Sequence, residues 1–441
     1  MRILRSSILS LVAMAIGAAA CAQTDVWDLQ RCLDHARQEN LSMRQAMLNI
    51  ESANEDVRLA KSAFAPSVSA SSSQAVSYSP LFDNGQFAYS ANYNIGASMT
   101  LYDGGKLIYS KKLAALTAEI REAGLLSSRK ELEMNILKAY LQVLYAHEAL
   151  LTAQENMVLA DADLDRAKIL RQAGKITVSE LAQVESQWSQ DNYNLTAGRN
   201  ALRTAVMNLK HLLELEIDTP FDIAYPEISD LEVMESLPEM MAVYERALQS
   251  MPQIKEAQQN LESSELNTKI ARSGWYPSLS LSASIGGNYN TLRLPDESLG
   301  SQFVGSLGPS LSLGINIPIY DRRQTRTSVN KAKINRQQSQ LNYEQAVKTV
   351  ATYVESLYID AESAQANYQA AKKKQEAAEE SYRYTSEQYK AGMRNTVELL
   401  NARQSLIGAQ ETLTRSRYQA VISLQLLNII QDYPVHIGAN Q

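Results

Sequence analysis

The chain has 441 residues, more than one ordinary domain needs. With 20% charged and 45% hydrophobic residues, it is neither a disordered chain nor a polytopic helical membrane protein. A net charge of -6 leaves no basic footprint for nucleic acid, and 2 cysteines can build neither a disulfide scaffold nor a cysteine-rich zinc site.

Arg2 and Arg5 precede an apolar run from Ile8 to Ala20 that ends in small residues, which predicts a secretory signal peptide over 1–22. Two processing routes fit. Ala20 and Ala22 satisfy the small-x-small rule for cleavage before Gln23. Alternatively, Ala18-Ala19-Ala20-Cys21 is a degenerate lipobox that would make Cys21 a lipidated N-terminus. Cys32 lies in an amphipathic stretch and reads as a packed small hydrophobe.

Helical periodicity runs over about 27–64, and then the period switches to two. Residues 67–79 set Val68, Ala70, Val76 and Tyr78 opposite a row of serines. Over 87–102, Phe87, Tyr89, Ala91, Tyr93, Ile95, Ala97, Met99 and Leu101 share one face, opposite small polar residues. Asp83-Asn84-Gly85 between these runs is a hairpin signal. No proline falls between Pro80 and Pro220, and strong helix formers dominate, predicting helices over 105–172 and 178–213 with a break at Ala173-Gly174. Pro220, Pro226 and Pro238 make 214–238 a loop-rich segment. A helix over 239–275 follows, then alternating strands over 278–289 and 306–319. Helices over 322–390 and 396–432 break at Ala391-Gly392, and 434–441 form a tail. A 68-residue helix rises about 100 Å, too long for a compact domain, so these helices must form coiled-coil hairpins.

The chain repeats itself. Asn49–Ser67 aligns without a gap to Asn260–Ser278, with 7 of 19 positions identical. Tyr102-Asp103, Ala173-Gly174 and Glu180-Leu181 recur as Tyr320-Asp321, Ala391-Gly392 and Glu398-Leu399. This predicts a first repeat over 23–220 and a second over 239–433, with the 214–238 segment between the helical parts.

The strand faces opposite the apolar ones are small and almost uncharged, and tyrosines cluster near the strand ends (Tyr78, Tyr89, Tyr93, Tyr102, Tyr289, Tyr320). Together with the export signal, this favours lipid outside and a narrow aqueous lumen inside over a half-buried soluble sheet. Four strands cannot close a barrel, whose usual minimum is about eight, and an open edge in lipid is not allowed. The chain must therefore oligomerise. Two copies would give about eight strands, filled by side chains, whereas three would give about twelve and leave a pore.

The repeat, the N-terminal run LQRCLDHARQENLSMRQA and the run YKAGMRNTVELLNARQSLIGAQETLTRSRYQA from Tyr389 resemble the TolC family of outer-membrane efflux proteins, over essentially the whole mature chain. The resemblance implies a mixed α/β membrane protein, internally duplicated, in which a long α-helical coiled-coil barrel joins a twelve-stranded transmembrane β-barrel built by a homotrimer, each copy giving four strands. It further implies an outer-membrane channel of a tripartite efflux or type I secretion system, a passive duct contacting outer-membrane lipid and opened by a periplasmic adaptor that links it to an inner-membrane pump. By alignment, Tyr389 and Arg394 of the inner hairpin match the family's gate, their acceptors fall on Ser179 and Glu180, and a charged constriction falls on Glu398 and Asn401. Asn401 departs from the family's second acidic layer. Gly174 and Gly392 mark the tips that would meet the adaptor, and 214–238 would form an equatorial belt. The alternative is a periplasmic coiled-coil adaptor or a structural envelope protein.

No catalytic pattern emerges. His35, His147, His211 and His436 are scattered, His147-Glu148 lacks the second histidine of a zincin at Leu151, and no phosphate- or dinucleotide-binding glycine motif occurs. Neither enzyme activity nor a cofactor is expected.

Overall fold

A computed structural model describes residues 26–79, 86–291 and 298–438. The export signal with Cys21 and the turn Asp83-Asn84-Gly85 lie outside the described residues. The elements in chain order are β1 (Val26–Trp27), α1 (Leu29–Glu39), α2 (Leu41–Ser62), β2 (Ser67–Ser79), β3 (Gln86–Asp103), α3 (Lys106–Gln172), α4 (Val178–Leu212), β4 (Asp222–Ile223) and α5 (Asp230–Val233). Then come α6 (Met240–Ser250), α7 (Pro252–Ser273), β5 (Ser278–Asn290), α8 (Leu299–Ser306), β6 (Gly308–Asn316), α9 (Gln324–Lys390) and α10 (Thr396–Ile430). No described helix is long and apolar enough to cross a membrane. The chain divides into two compact units, and the long helices α3 and α9 contribute a segment to each.

One unit holds residues 47–124 and 253–346. Its centre is an antiparallel sheet in the order β2-β3-β5-β6. The register stacks like on like: Ile95 faces Ile285, Leu281 faces Leu313, and Leu279 faces Ile315. On the other face serine hydroxyls pair across strands, Ser282 with Ser312 at 2.7 Å and Ser284 with Ser310 at 2.8 Å. The apolar face is bare, with Val68 70% and Leu311 74% exposed. Alternation stops at Leu101, the extra residue of a bulge, so Tyr102 rather than Leu101 stands opposite Leu279. Beside the sheet, Leu116 and Ile120 of α3 bury against Leu266 of α7.

The last strand is shorter than the predicted 306–319. Pro318 offers no amide to a ladder, and β6 ends at Asn316. At the other end the chain forms α8, capped by Ser298, whose hydroxyl accepts from the Ser301 amide. This helix takes over where β6 stops. Ser306 Oγ accepts from Asn288 N at 2.8 Å and donates to Asn288 O at 2.9 Å, while Gln302 Oε1 accepts from Asn290 N at 3.1 Å. Phe303 lies over Gly287, where a Cβ would stand 2.7 Å from its ring, and meets Tyr93 edge-on at 5.6 Å.

The other unit holds residues 26–46, 125–252 and 347–438 of the described chain. Its core is built from Ile136, Leu137, Leu141 and Leu144 of α3 and Leu424, Leu427 and Ile430 of α10, all buried. The single helix expected over 27–64 is two. Asn40 ends α1 with extended backbone, its Oδ1 accepts from Ser42 N, and its Nδ2 donates to Leu212 O. An asparagine side chain that bonds the neighbouring backbone competes with the helix there. The helix expected over 239–275 also divides, because Pro252 lacks an amide and starts α7 afresh. Residues 214–238 are less irregular than predicted. β4 pairs in parallel with β1, Tyr140 donates to Ala224 O at 2.8 Å, and Gln365 of α9 donates to Val233 O and Glu235 O. Asp230 accepts from both Tyr368 and Lys372. Cys32 is a free, fully buried thiol, and burial pushes it up to about 12.

Candidate functional site

The predicted site residues gather at the turns of two helical hairpins, α3–α4 and α9–α10, whose tips belong to the same unit. Each turn is a Schellman closure. In the first, Gly174 adopts φ 70°, its amide donates to Arg171 O, and Lys175 N reaches back to Leu170 O at 2.9 Å. In the second, Gly392 adopts φ 73°, its amide donates to Tyr389 O, and Met393 N reaches Gln388 O at 2.9 Å.

The helices that follow are capped differently. Thr177 and Glu180 form a reciprocal box: Thr177 Oγ1 accepts from Glu180 N, and Glu180 Oε2 accepts from Thr177 N at 2.7 Å and from its hydroxyl at 2.9 Å. The backbone bond from Thr177, aided by the hydroxyl, holds the Glu180 carboxyl below its ordinary range. In the second hairpin Asn395 Oδ1 caps Glu398 N at 2.9 Å, and the Glu398 carboxylate turns outward to Arg394 Nη1 at 2.6 Å and Asn395 Nδ2 at 3.2 Å.

Arg394 also donates from Nε to Gln388 at 2.9 Å. Arg394 and Glu180 thus each bond within their own hairpin, and the structure does not join them. Ser179 is exposed at the mouth of α4. Tyr389 does reach the other hairpin, where the Arg166 guanidinium stands 5.8 Å from its ring centroid. Asn401 lines a shallow groove with Gln183, Gln187 and Gln190 of α4. His147 stacks on Tyr225 at 3.9 Å and Glu148 binds Arg417 at 2.8 Å, so the half-motif of a zincin is spent on packing.

The most deeply buried ion pair between the hairpins involves residues the sequence reading did not single out. Arg403 of α10 is 2% exposed. Its Nη1 donates to Asp163 Oδ2 of α3 at 3.1 Å, and its Nη2 donates to Asn156 O of α3 at 2.5 Å. The same Nη2 lies 2.9 Å from Asp191 Oδ2 of α4, a residue also 2% exposed. That contact is an ion pair without hydrogen-bond alignment, and Asp191 takes its bond at Oδ1, from Gln187 at 3.0 Å. Burial pushes both carboxyls above their ordinary range, against the pull of the guanidinium. A signal was present: Arg403 occupies a core slot between Leu399 and Leu406, and Asp191 one between Trp188 and Leu195.

The comparisons with known proteins agree over nearly the whole chain. A family model described as outer membrane efflux protein matches residues 32–214 and 243–429. The chain belongs to that family. It is 22% identical to the outer membrane efflux protein BepC of Brucella suis over 93% of this chain and 86% of that protein. It is likewise 22% identical to the outer membrane protein TolC of Escherichia coli, covering 90% and 80% of the two chains. The outer membrane channel CmeC of Campylobacter jejuni superposes with a TM-score of 0.79 at 17% identity, covering 91% of this chain and 85% of that one. The efflux family member described here is thus an outer-membrane channel protein of a Gram-negative bacterium, with its helical part in the periplasm. Its family is one of transport rather than catalysis.

Proposed function

We propose that the chain is one third of a passive efflux duct, a homotrimer in which three four-stranded sheets close a twelve-stranded barrel and the helical hairpins line a periplasmic tunnel. The observation that carries this reading is the sheet itself: among the described residues its outer strands β2 and β6 have free edges, one face is apolar and exposed, and the other is lined by paired serines. Such edges are forbidden in lipid unless a further copy pairs with them. The duplication within the chain is supported by matched lengths: 11 and 22 residues for α1 and α2 as for α6 and α7, then 67 and 35 for α3 and α4 as for α9 and α10. Residues 1–22 direct export, and mass spectrometry of the mature N-terminus distinguishes Gln23 from a lipidated Cys21.

A channel whose sequence carries no nucleotide-binding glycine motif draws its energy from an inner-membrane pump, reached through an adaptor at the Gly174 and Gly392 tips. The 214–238 segment forms the belt around the tunnel. Tyr389, Arg394, Ser179 and Glu180 form the gate, with Glu398 and Asn401 at the constriction. Closure through Arg394 and Glu180 requires both to exchange their present partners, Glu398 and Thr177. The test is outer-membrane fractionation with a heat-resistant trimer, followed by planar-bilayer recording. Tyr389→Phe combined with Arg394→Ser raises single-channel conductance. Unchanged conductance removes the gate assignment, and a soluble periplasmic monomer removes the channel reading.

A further inference from the structure

The tip residues named by resemblance bond mainly within their own hairpins, and Arg394 has no partner on α3 or α4 among its hydrogen bonds. The only deeply buried guanidinium among the described residues lies about two helical turns further from the turn, at Arg403. We propose that Arg403 is a second latch of the channel, independent of the tip, which holds the α9–α10 hairpin closed against α3–α4. The proposal rests on the channel reading given above.

The geometry has the features a latch needs. A single side chain from α10 reaches both helices of the facing hairpin, through Asp163 and Asn156 O on α3 and through Asp191 on α4. A planar guanidinium holds five donors in a fixed fork and serves several acceptors in set directions, whereas a lysine offers three rotatable donors on a flexible stem. The latch is also conditional. Two carboxyls surround one guanidinium, Arg403 Nε finds no acceptor, and Asp191 Oδ2 lacks an aligned donor. A polar cluster left partly unsatisfied is held together by burial and lost once water enters. Room for water adjoins the cluster: a cavity of about 240 Å³ borders Asp191, lined also by Asn156, Asn194, Glu411 and Arg415. Separation of the hairpins would hydrate all the charged groups together, so the contact favours two discrete states.

The sequence marks this as a property of one hairpin. At the repeat offset that relates Gly174 to Gly392, Arg403 corresponds to Glu185, an exposed residue of opposite charge. A duplicated scaffold that needed only a packed helix would not require this exchange.

The experiment records single-channel conductance of detergent-purified trimers in planar bilayers, for the natural protein, for Arg403→Leu, and for Arg403→Leu added to Tyr389→Phe with Arg394→Ser. A second latch predicts that Arg403→Leu raises conductance severalfold alone and adds to the increase of the tip variant. Should Arg403→Leu yield no trimer, Asp163→Asn with Asp191→Asn is read in its place, since it keeps the guanidinium and its bond to Asn156 O while removing both charges. A merely structural arginine would lower thermal resistance of the trimer and leave conductance where it was, and that result overturns the latch. A natural protein that conducts no ions at all overturns the channel reading and the latch with it; conduction with no gain in the variants overturns the latch alone.

Discussion

The two hairpin turns share a backbone and differ in what their carboxylates hold. Gly174 and Gly392 adopt nearly the same left-handed φ, and the six-residue closures, Lys175 to Leu170 and Met393 to Gln388, are both 2.9 Å. Thr177 and Asn395 then cap the next helix through the amide three residues on. There the likeness stops. Glu180 folds back wholly on its own cap, while Glu398 keeps one oxygen on the Asn395 side chain and gives the other to Arg394, whose counterpart in the first hairpin is Ile176. A guanidinium competes well with a backbone amide for a carboxylate, so one substitution redirects the acid without moving the helix. Further along, Glu185 is exposed and Arg403 is buried. Backbone geometry is the same at the two turns and side-chain chemistry differs, which is what the proposed gating by one hairpin of a duplicated scaffold requires.

The largest way to break this comparison is at Arg403. Arg403→Leu leaves Asp191 buried without its counter-charge, and loss of one partner of a buried pair costs about 3–5 kcal/mol. Glu185→Leu, on an exposed face, changes stability by about 0.5 kcal/mol or less. Thermal or guanidinium unfolding of the detergent-solubilised protein reads both. Equal costs at the two positions would mean that the buried cluster is already neutral and holds little.

The shared backbone gives the opposite expectation at the glycines. A Cβ at Gly174 or Gly392 would meet nothing within 4 Å, so Gly→Ala is penalised only by the left-handed backbone. Each substitution therefore costs about 1 kcal/mol, and the two costs are equal. A clear difference between them, measured by the same unfolding experiment, would show that the turns are not equivalent in solution.

Much of this arrangement is visible in periodicity. The long helices and serine-faced strands repeat a period over many residues, and Ala173-Gly174 and Ala391-Gly392 punctuate them, so local rules suffice. The failures have local causes of another kind. Asn40 interrupts a helix through one side chain, Pro252 starts a helix where a continuous one was expected, and α8 forms in the connection between two expected strands, where Ser306 and Gln302 satisfy Asn288 and Asn290. Arg403 was harder still. Its partners Asp163 and Asp191 lie more than 200 residues away in sequence, and only their shared presence on apolar faces hints that they meet. In the sheet, a single bulge at Leu101 exchanges the faces of the residues beyond it, which strict alternation cannot anticipate.

The smallest effect separates the two caps. Asn395→Ala removes one side-chain acceptor from the start of α10 and costs about 1 kcal/mol, as such caps usually do. Thr177→Ala removes the hydroxyl half of a reciprocal box, and its cost carries a pH signature. Hydrogen bonds from Thr177 hold the Glu180 carboxyl below its ordinary range in the folded chain. A carboxyl lowered by folding contributes stability above its unfolded value, near about 4.3, and that contribution disappears as pH falls through the folded value. The hydroxyl that Thr177→Ala deletes is one of the two groups lowering Glu180, so the variant has less of this contribution to lose. The stability gap between the natural protein and Thr177→Ala is therefore constant from neutral pH down to about 5 and narrows on further acidification. Unfolding curves of the two proteins across that range read the gap directly. A gap that stays constant, or widens in acid, would mean that Glu180 leaves its cap in solution, freeing the carboxylate for a partner on the other hairpin.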